Sequence, residues 1–156
     1  MTAKAPEGEK LVASNRKAFF NYEILEKAEA GIVLRGTEVK SIREGSFNFG
    51  DAFVDFKNGE LFLVGARIGP YSHGNLMNHA EHRDRKLLLH KAQIKKLGGR
   101  ASERGLTIMP LRAYFKDGRL KVEIGLARGK KTHDKRESIK RKDIARETEQ
   151  ALRARR

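Results

Sequence analysis

Two dipeptides constrain this chain more than any other feature: Asn58-Gly59 and Asp117-Gly118, each set between alternating apolar and polar residues. Both suit a type I′ turn, whose two central positions need positive φ and whose twist matches paired strands. A two-residue loop at Asn58-Gly59 pairs Phe56 with Leu61 and Val54 with Leu63, and it gives Asp55 and Phe62 the opposite face. The loop at Asp117-Gly118 pairs Phe115 with Leu120, Ala113 with Val122 and Leu111 with Ile124. Its other face receives Tyr114 opposite Lys121 and Arg112 opposite Glu123. Strand side chains alternate with period two, so one face of each hairpin is core and the other is wet, with no register adjustment expected.

A further strand pair is expected over 22–27 and 31–35, turning near Ala28-Glu29-Ala30-Gly31. Short helices flank the strands. Ser14 is a candidate cap for one reaching Phe19 and Phe20. Thr37 is a candidate cap for one running to Arg43, with Val39 and Ile42 inward and Gly45 ending it. A third runs from Lys91 to Leu97, presents Ile94 and Leu97, and stops at Gly98-Gly99. Strands with short helices at this spacing predict a mainly β protein. Its architecture is expected to be an oligonucleotide-binding-type antiparallel β-barrel, since closure removes exposed strand edges. An open α+β sheet is the alternative. Residues 69–85 read as a long loop that is mobile or ordered by a partner.

The C-terminal segment obeys different rules. From Arg128 to Arg156 there are twelve Lys/Arg against five Asp/Glu, half of the net +14. Its sizeable apolar residues after Arg136 are Ile139, Ile144 and Leu152, too sparse a stripe to dock on a core. Such a segment is built to meet a polyanion, RNA or DNA in particular. The chain therefore divides into a flexible N-terminus (1–10), a folded RNA-binding domain (11–128) and a basic tail (129–156). The tail is expected to be disordered alone and helical on its partner.

Composition limits the chemistry. The chain has 156 residues and no cysteine, which excludes disulfides, thiolate metal sites and cysteine nucleophiles. No apolar run approaches the length of a membrane span, and residues 1–10 lack the apolar centre of a secretory signal. A cytoplasmic monomer with no membrane partner is expected. Walker, nucleophile-elbow and Rossmann motifs are absent. His73, His79 and His82 match no metal-ligand spacing and read as exposed loop histidines. Glu23, Glu26 and Glu29 read as charges on a wet strand face. No enzyme, cofactor or metal is expected.

Binding candidates are better supported. Asn15, Arg16 and Lys17 open the first helix, and Lys40 and Arg43 share the exposed side of the second. Arg85 and Lys86 precede three leucines, and Lys121 lies on the wet face of the second hairpin. Each cation suits a phosphate, provided they share one face. Tyr114 offers a stacking platform for an unpaired base. Glu29 is suited to accept from a base or ribose.

The motifs Gly-Thr-Glu-Val-Lys-Ser-Ile-Arg (36–43), Arg-Lys-Leu-Leu-Leu (85–89) and Gly-Lys-Lys-Thr-His-Asp-Lys-Arg (129–136) resemble those of the bacterial SsrA-binding protein (small protein B) family. The similarity runs from Leu11 to the C-terminus, with the motifs in the expected order. The resemblance implies an oligonucleotide-binding-type barrel that grips the tRNA-like elbow of transfer-messenger RNA (SsrA). It implies delivery of that RNA, charged with alanine and accompanied by elongation factor Tu, to stalled ribosomes. The family's RNA contacts map onto Asn15, Glu29 and Leu88, with Lys17, Lys40 and Lys86 as basic neighbours. The family's tail enters the empty mRNA channel. Its contacts with the 16S rRNA decoding centre map onto Gly129, Lys130, His133, Asp134, Lys135 and Arg136. Lys131 adds a phosphate partner, and His133 is suited to stack on a nucleobase. Two other classes stand beside this one: a general single-strand-binding or structural ribosomal protein, and a metal-dependent nuclease.

Overall fold

In the computed structural model, which describes residues 9–74 and 78–130 together with 144, 146 and 147, both hairpins form where the dipeptides place them. Asn58 and Gly59 adopt φ of 52° and 75°, and Asp117 and Gly118 adopt 51° and 77°. The first turn joins β4 (Phe53–Lys57) to β5 (Glu60–Val64), with Phe56 opposite Leu61 and Val54 opposite Leu63 as expected. The second joins β8 (Leu106–Lys116) to β9 (Arg119–Gly129). Phe115 faces Leu120 there, and Ala113 faces Val122.

Beyond that point the register departs from expectation. Pro110, not Leu111, stands opposite Ile124, because a bulge intervenes before Arg112. Proline has no N–H for the ladder, and a bulge is where an interior strand tolerates it. The two carbonyls the bulge displaces are recovered by one residue. Asn15 donates its side-chain amide to the Pro110 oxygen at 2.8 Å and its backbone N–H to the Leu111 oxygen at 2.8 Å. Asn15 also caps α1 (Arg16–Asn21), its Oδ1 accepting from the Ala18 N–H; Ser14, the expected cap, ends β1 (Glu9–Ser14) instead.

The expected turn at residues 28–31 does not exist. β2 runs unbroken from Tyr22 to Ile32. It pairs with β9 from Tyr22 opposite Gly129 to Gly31 opposite Lys121, with one bulge between Ile24 and Glu26. A turn would forfeit that continuous ladder, and the buried Ala30 packs in the core without one. α2 (Gly36–Arg43) starts one residue before Thr37, and Ile42 is buried as expected. α3 (Lys91–Ala101) continues through both glycines that were to end it. Gly98 is buried against the Phe56 ring, so its missing side chain permits packing and does not stop the helix.

β7 (Arg85–Leu88) completes a seven-stranded sheet ordered β1-β8-β4-β5-β7-β2-β9. β8 also pairs with β9, so the pairings from β8 through β4, β5, β7, β2 and β9 return to β8. The link between β4 and β8 is the Val54–Ile108 pair. β3 (Phe47–Asn48) and β6 (Arg67–Ile68) form a separate two-stranded ladder. The core inside gathers Leu61, Leu63, Leu87, Ile108, Val122, Ile124 and Leu126, all nearly or fully inaccessible. The protein is thus mainly β, with α1 to α3 packed about the strands, and the described tail residues Ile144, Arg146 and Glu147 are helical as well. Glu9 and Lys10 lie within β1, opposite Lys116 and Phe115. At the other end Gly129 closes β9, and the Lys130 N–H donates to the Asn21 oxygen at 2.8 Å.

The long connection from Gly69 to Asp84 is pinned at several points. Tyr71 and Asn78 exchange backbone-to-side-chain hydrogen bonds at 2.8 and 2.9 Å. His79, expected to be exposed, is buried: its Nε2 donates to the Ile68 oxygen and its Nδ1 accepts from the Thr37 hydroxyl, both at 2.9 Å. Those two bonds explain why an imidazole is buried there.

Candidate nucleic-acid interface

The strand registers align a row of residues on one face of the sheet across four strands. Tyr114 of β8 stands opposite Lys121 of β9, Lys121 opposite Gly31 of β2, and Gly31 opposite Leu88 of β7. One row along, Arg112 faces Glu123, which faces Glu29. Alternation turns the intervening Ala30, Val122, Ala113 and Leu87 into the core. Local hydrophobic patterning thus supplies the wet face, and nonlocal pairing decides which of its residues are neighbours.

Glu29, Leu88 and Lys121 meet in one groove of about 370 Å³, walled by Leu89, His90 and Gln93. Leu88 is 51% exposed, an apolar side chain with no core function. Glu29 is held from across the sheet. The Tyr114 hydroxyl donates to its Oε2 at 2.5 Å, and Lys116 Nζ lies 3.4 Å from the same oxygen. The Tyr114 hydrogen bond, aided by the charges of Lys116 and Lys121, holds the Glu29 carboxyl below its usual range despite partial burial. Burial, then the carboxylate beside it, pushes the Tyr114 phenol up, so the tyrosine keeps its proton and donates. Tyr114 is itself buried, so it serves as a donor to Glu29 and not as an open stacking platform.

The other candidates are divided among different places. Lys86 is two residues from Leu88 on the same strand and forms an ion pair with Glu60 at 2.8 Å. Arg16 and Lys17 line a second groove of about 580 Å³ with Phe47, Asn48 and Phe49. Lys17 reaches Asp51 at 3.3 Å. Asn15 borders that groove but is buried and committed to the bulge. Lys40 and Arg43 project from α2, where Lys40 sits 5.5 Å from the Tyr71 ring centre and Arg43 5.9 Å from that of Phe115. Arg16 and Lys17 thus line a different groove from Lys121.

Arg85 is a correction. Its side chain is 0% exposed, and its Nε bonds Glu38 Oε2 at 2.5 Å. Its remaining nitrogens donate to the Ala66, Ala80 and Glu81 oxygens. An arginine consumed this way reaches no phosphate. Sequence spacing gave no sign of this, because Glu38 and Arg85 lie on α2 and β7. The partners Tyr114 and Lys116 of Glu29 were missed for the same reason. Of the tail candidates, Gly129 and Lys130 are described above, whereas Lys131, His133, Asp134, Lys135 and Arg136 lie outside the described residues. Among the described residues no group of three or more His, Asp or Glu side chains is placed to hold a metal ion. No described helix is long and apolar enough to cross a membrane.

A mainly β scaffold with a charged, grooved sheet face and a cationic C-terminus defines a basic binding protein. The SmpB protein family model matches residues 12–154, and the chain belongs to that family. It is 56% identical to the SsrA-binding protein of Carboxydothermus hydrogenoformans over 147 residues, covering 94% of this chain and 99% of the relative. It is 53% identical to the SsrA-binding protein of Enterococcus faecalis, over 94% of this chain and 96% of the relative. A solved chain described as "tmRNA-SmpB: a journey to the center of the bacterial ribosome" superposes with a TM-score of 0.66 at 47% identity, covering 81% of this chain and 93% of the other.

Proposed function

We propose that this protein is a non-catalytic RNA-binding factor of trans-translation in the cytoplasm. It binds the tRNA-like domain of transfer-messenger RNA and delivers it, with elongation factor Tu, to stalled ribosomes. The carrying observation is the identity to SsrA-binding proteins along almost their whole length. The groove that joins Glu29, Leu88 and Lys121 supports it from the structural side. The likeness to a solved chain of the tmRNA-SmpB assembly supports the ribosome as partner. In this reading the returning strand pairings are those of an oligonucleotide-binding-type barrel, which presents the groove and basic helices to a shaped RNA. The tail from Lys130 onward, with His133, Asp134, Lys135 and Arg136, occupies the decoding centre and the empty mRNA channel. A folded domain could not thread such a channel; a cationic segment that orders on its partner can.

Sequencing the RNA that copurifies with the tagged full chain tests this. One dominant tRNA-like species is expected, and a broad mixture of RNAs would overturn it in favour of a general RNA binder. Truncation after Lys130 keeps the last described backbone bond to Asn21. It is expected to retain RNA affinity and abolish ribosome rescue in a reconstituted translation system.

A further inference from the structure

The groove beside Glu29 has a mixed charge that phosphate binding alone does not explain. Neutralising a phosphodiester backbone needs cations, yet a carboxylate stands in the groove and is held in place. Both bonds that fix it, from Tyr114 and Lys116, fall on Oε2, and Oε1 carries neither. Gln93, which lines the same groove, is fixed in the complementary sense. Its Oε1 accepts from the His90 backbone N–H at 3.3 Å, which keeps the amide nitrogen as its donor end. Gly31 lines the groove without a side chain, paired with the half-exposed Leu88. A Cβ at Gly31 would meet that of Leu88 at 3.4 Å, so the glycine keeps a second side chain off the floor.

We propose that this groove holds one unpaired guanine of the bound RNA, its Watson–Crick edge on Glu29, its O6 on Gln93 and an adjoining phosphate on Lys121. The inference rests on the RNA-binding function above and names what the site reads. Guanine is the base whose Watson–Crick edge carries two neighbouring N–H donors, N1–H and the N2 amino group, and an ionised carboxylate is acceptor-only. N1–H meets Oε1, and the N2 amino group displaces the long Lys116 contact on Oε2. Adenine, cytosine and uracil each set an acceptor lone pair beside a donor, which a carboxylate repels. Backbone phosphate is repelled too, so Glu29 selects an exposed base over the chain that carries it. The Gly31–Leu88 floor packs the base face, and unpaired bases are what proteins read by sequence in RNA. Tyr114 is then a positioning residue, acting through Glu29.

The test is an NMR titration of the 15N-labelled full chain with GMP, IMP, AMP, CMP and UMP, following the Gly31, Leu88 and Lys121 amides. GMP is expected to bind at these amides roughly tenfold more tightly than AMP, CMP or UMP. IMP, which keeps N1–H and lacks the N2 amino group, falls between them. Glu29→Gln should abolish the preference. Tyr114→Phe should weaken GMP a few-fold without changing the rank order, which a merely structural role would not do while the spectrum stays folded. Equal binding of all five at the groove, or GMP shifts only elsewhere, overturns the assignment. A parallel measurement of affinity for a tRNA-like RNA keeps the two readings apart. Tight binding of that RNA with no guanine preference sinks the base assignment alone, whereas no tight binding of that RNA sinks the function it rests on.

Discussion

The Glu38 carboxylate and the Arg85 guanidinium, both fully removed from solvent, meet with Nε 2.5 Å from Oε2. Arg83 bonds the other carboxylate oxygen, and the Arg35 backbone N–H donates to it at 2.8 Å. Burial by itself would raise the Glu38 carboxyl; the hydrogen bonds from Arg83, Arg35 and Arg85 outweigh it and hold the carboxyl below its usual range. Arg85 closes the network onto the Ala66 and Glu81 carbonyls at 2.9 and 3.0 Å. The cluster therefore ties α2, the end of the long connection and β7 together, and β7 carries Leu88 and Lys86 into the groove region.

Glu38→Gln leaves Arg85 buried without its counter-charge. The expected loss is about 3–5 kcal/mol at neutral pH, read by urea denaturation. The pH dependence follows from the sign of the shift. A carboxyl whose folded pKa is depressed stabilises fully above its unfolded value, and that stability is lost as pH falls through the folded one. The gap between wild type and Glu38→Gln should thus narrow on acidification below the ordinary carboxylate range. A gap independent of pH would mean that the charge is not what holds the cluster.

Neighbouring residues separate structure from binding. Arg85→Ala should unfold or strongly destabilise the chain. Lys86→Ala, on a side chain 43% exposed, should change stability by less than about 1 kcal/mol. In the proposed function Lys86→Ala lowers affinity for the tRNA-like RNA and reduces the log–log salt slope by about one unit. Melting curves and binding at several salt concentrations check both halves.

The two adjacent helical glycines should respond in opposite directions. A Cβ at Gly98 would lie 2.6 Å from a Phe56 ring carbon, whereas one at Gly99 meets nothing within 4 Å. Gly99→Ala should stabilise by up to about 1 kcal/mol, the ordinary helical gain. Gly98→Ala gains the same propensity but displaces the ring, for an expected net loss of about 1 kcal/mol. Thermal melts of the two variants decide it, and equal signs would contradict the packing at Phe56.

Asn15→Ala removes a helix cap and orphans the Pro110 carbonyl. The expected cost is about 2 kcal/mol. Asn15→Asp keeps the cap acceptor for the Ala18 N–H but sets a carboxylate oxygen against the buried Pro110 carbonyl, so at neutral pH it should be at least as destabilising as Asn15→Ala in chemical denaturation. If both variants lose RNA affinity with unchanged stability, Asn15 acts by touching RNA and not by holding the bulge.

Much of the strand layout was legible because it is local. A two-residue turn sets the register of its own hairpin, so Phe56–Leu61 and Phe115–Leu120 followed from Asn58-Gly59 and Asp117-Gly118 alone. The same reasoning failed at Leu111, since the bulge answers to Pro110 and to a side chain 95 residues away in sequence. It failed at residues 28–31 because β9 offers β2 a continuous partner that local propensity does not see. It failed at Gly98 because a ring from β4 lies on the helix there.

What the amino-acid sequence determined by itself was the mainly β character, the two hairpin registers, the wet strand faces and the cationic C-terminal segment. These rest on turn chemistry, period-two alternation and charge, all properties of neighbours along the chain. Only the tertiary structure decided that Arg85 is spent on Glu38, that His79 is buried, and that Tyr114 grips Glu29 beside Leu88 and Lys121. Those outcomes depend on which strands pair and which helix covers them. Pairing is settled by the global burial of apolar surface and the satisfaction of every buried polar group, quantities to which no short stretch of residues has access.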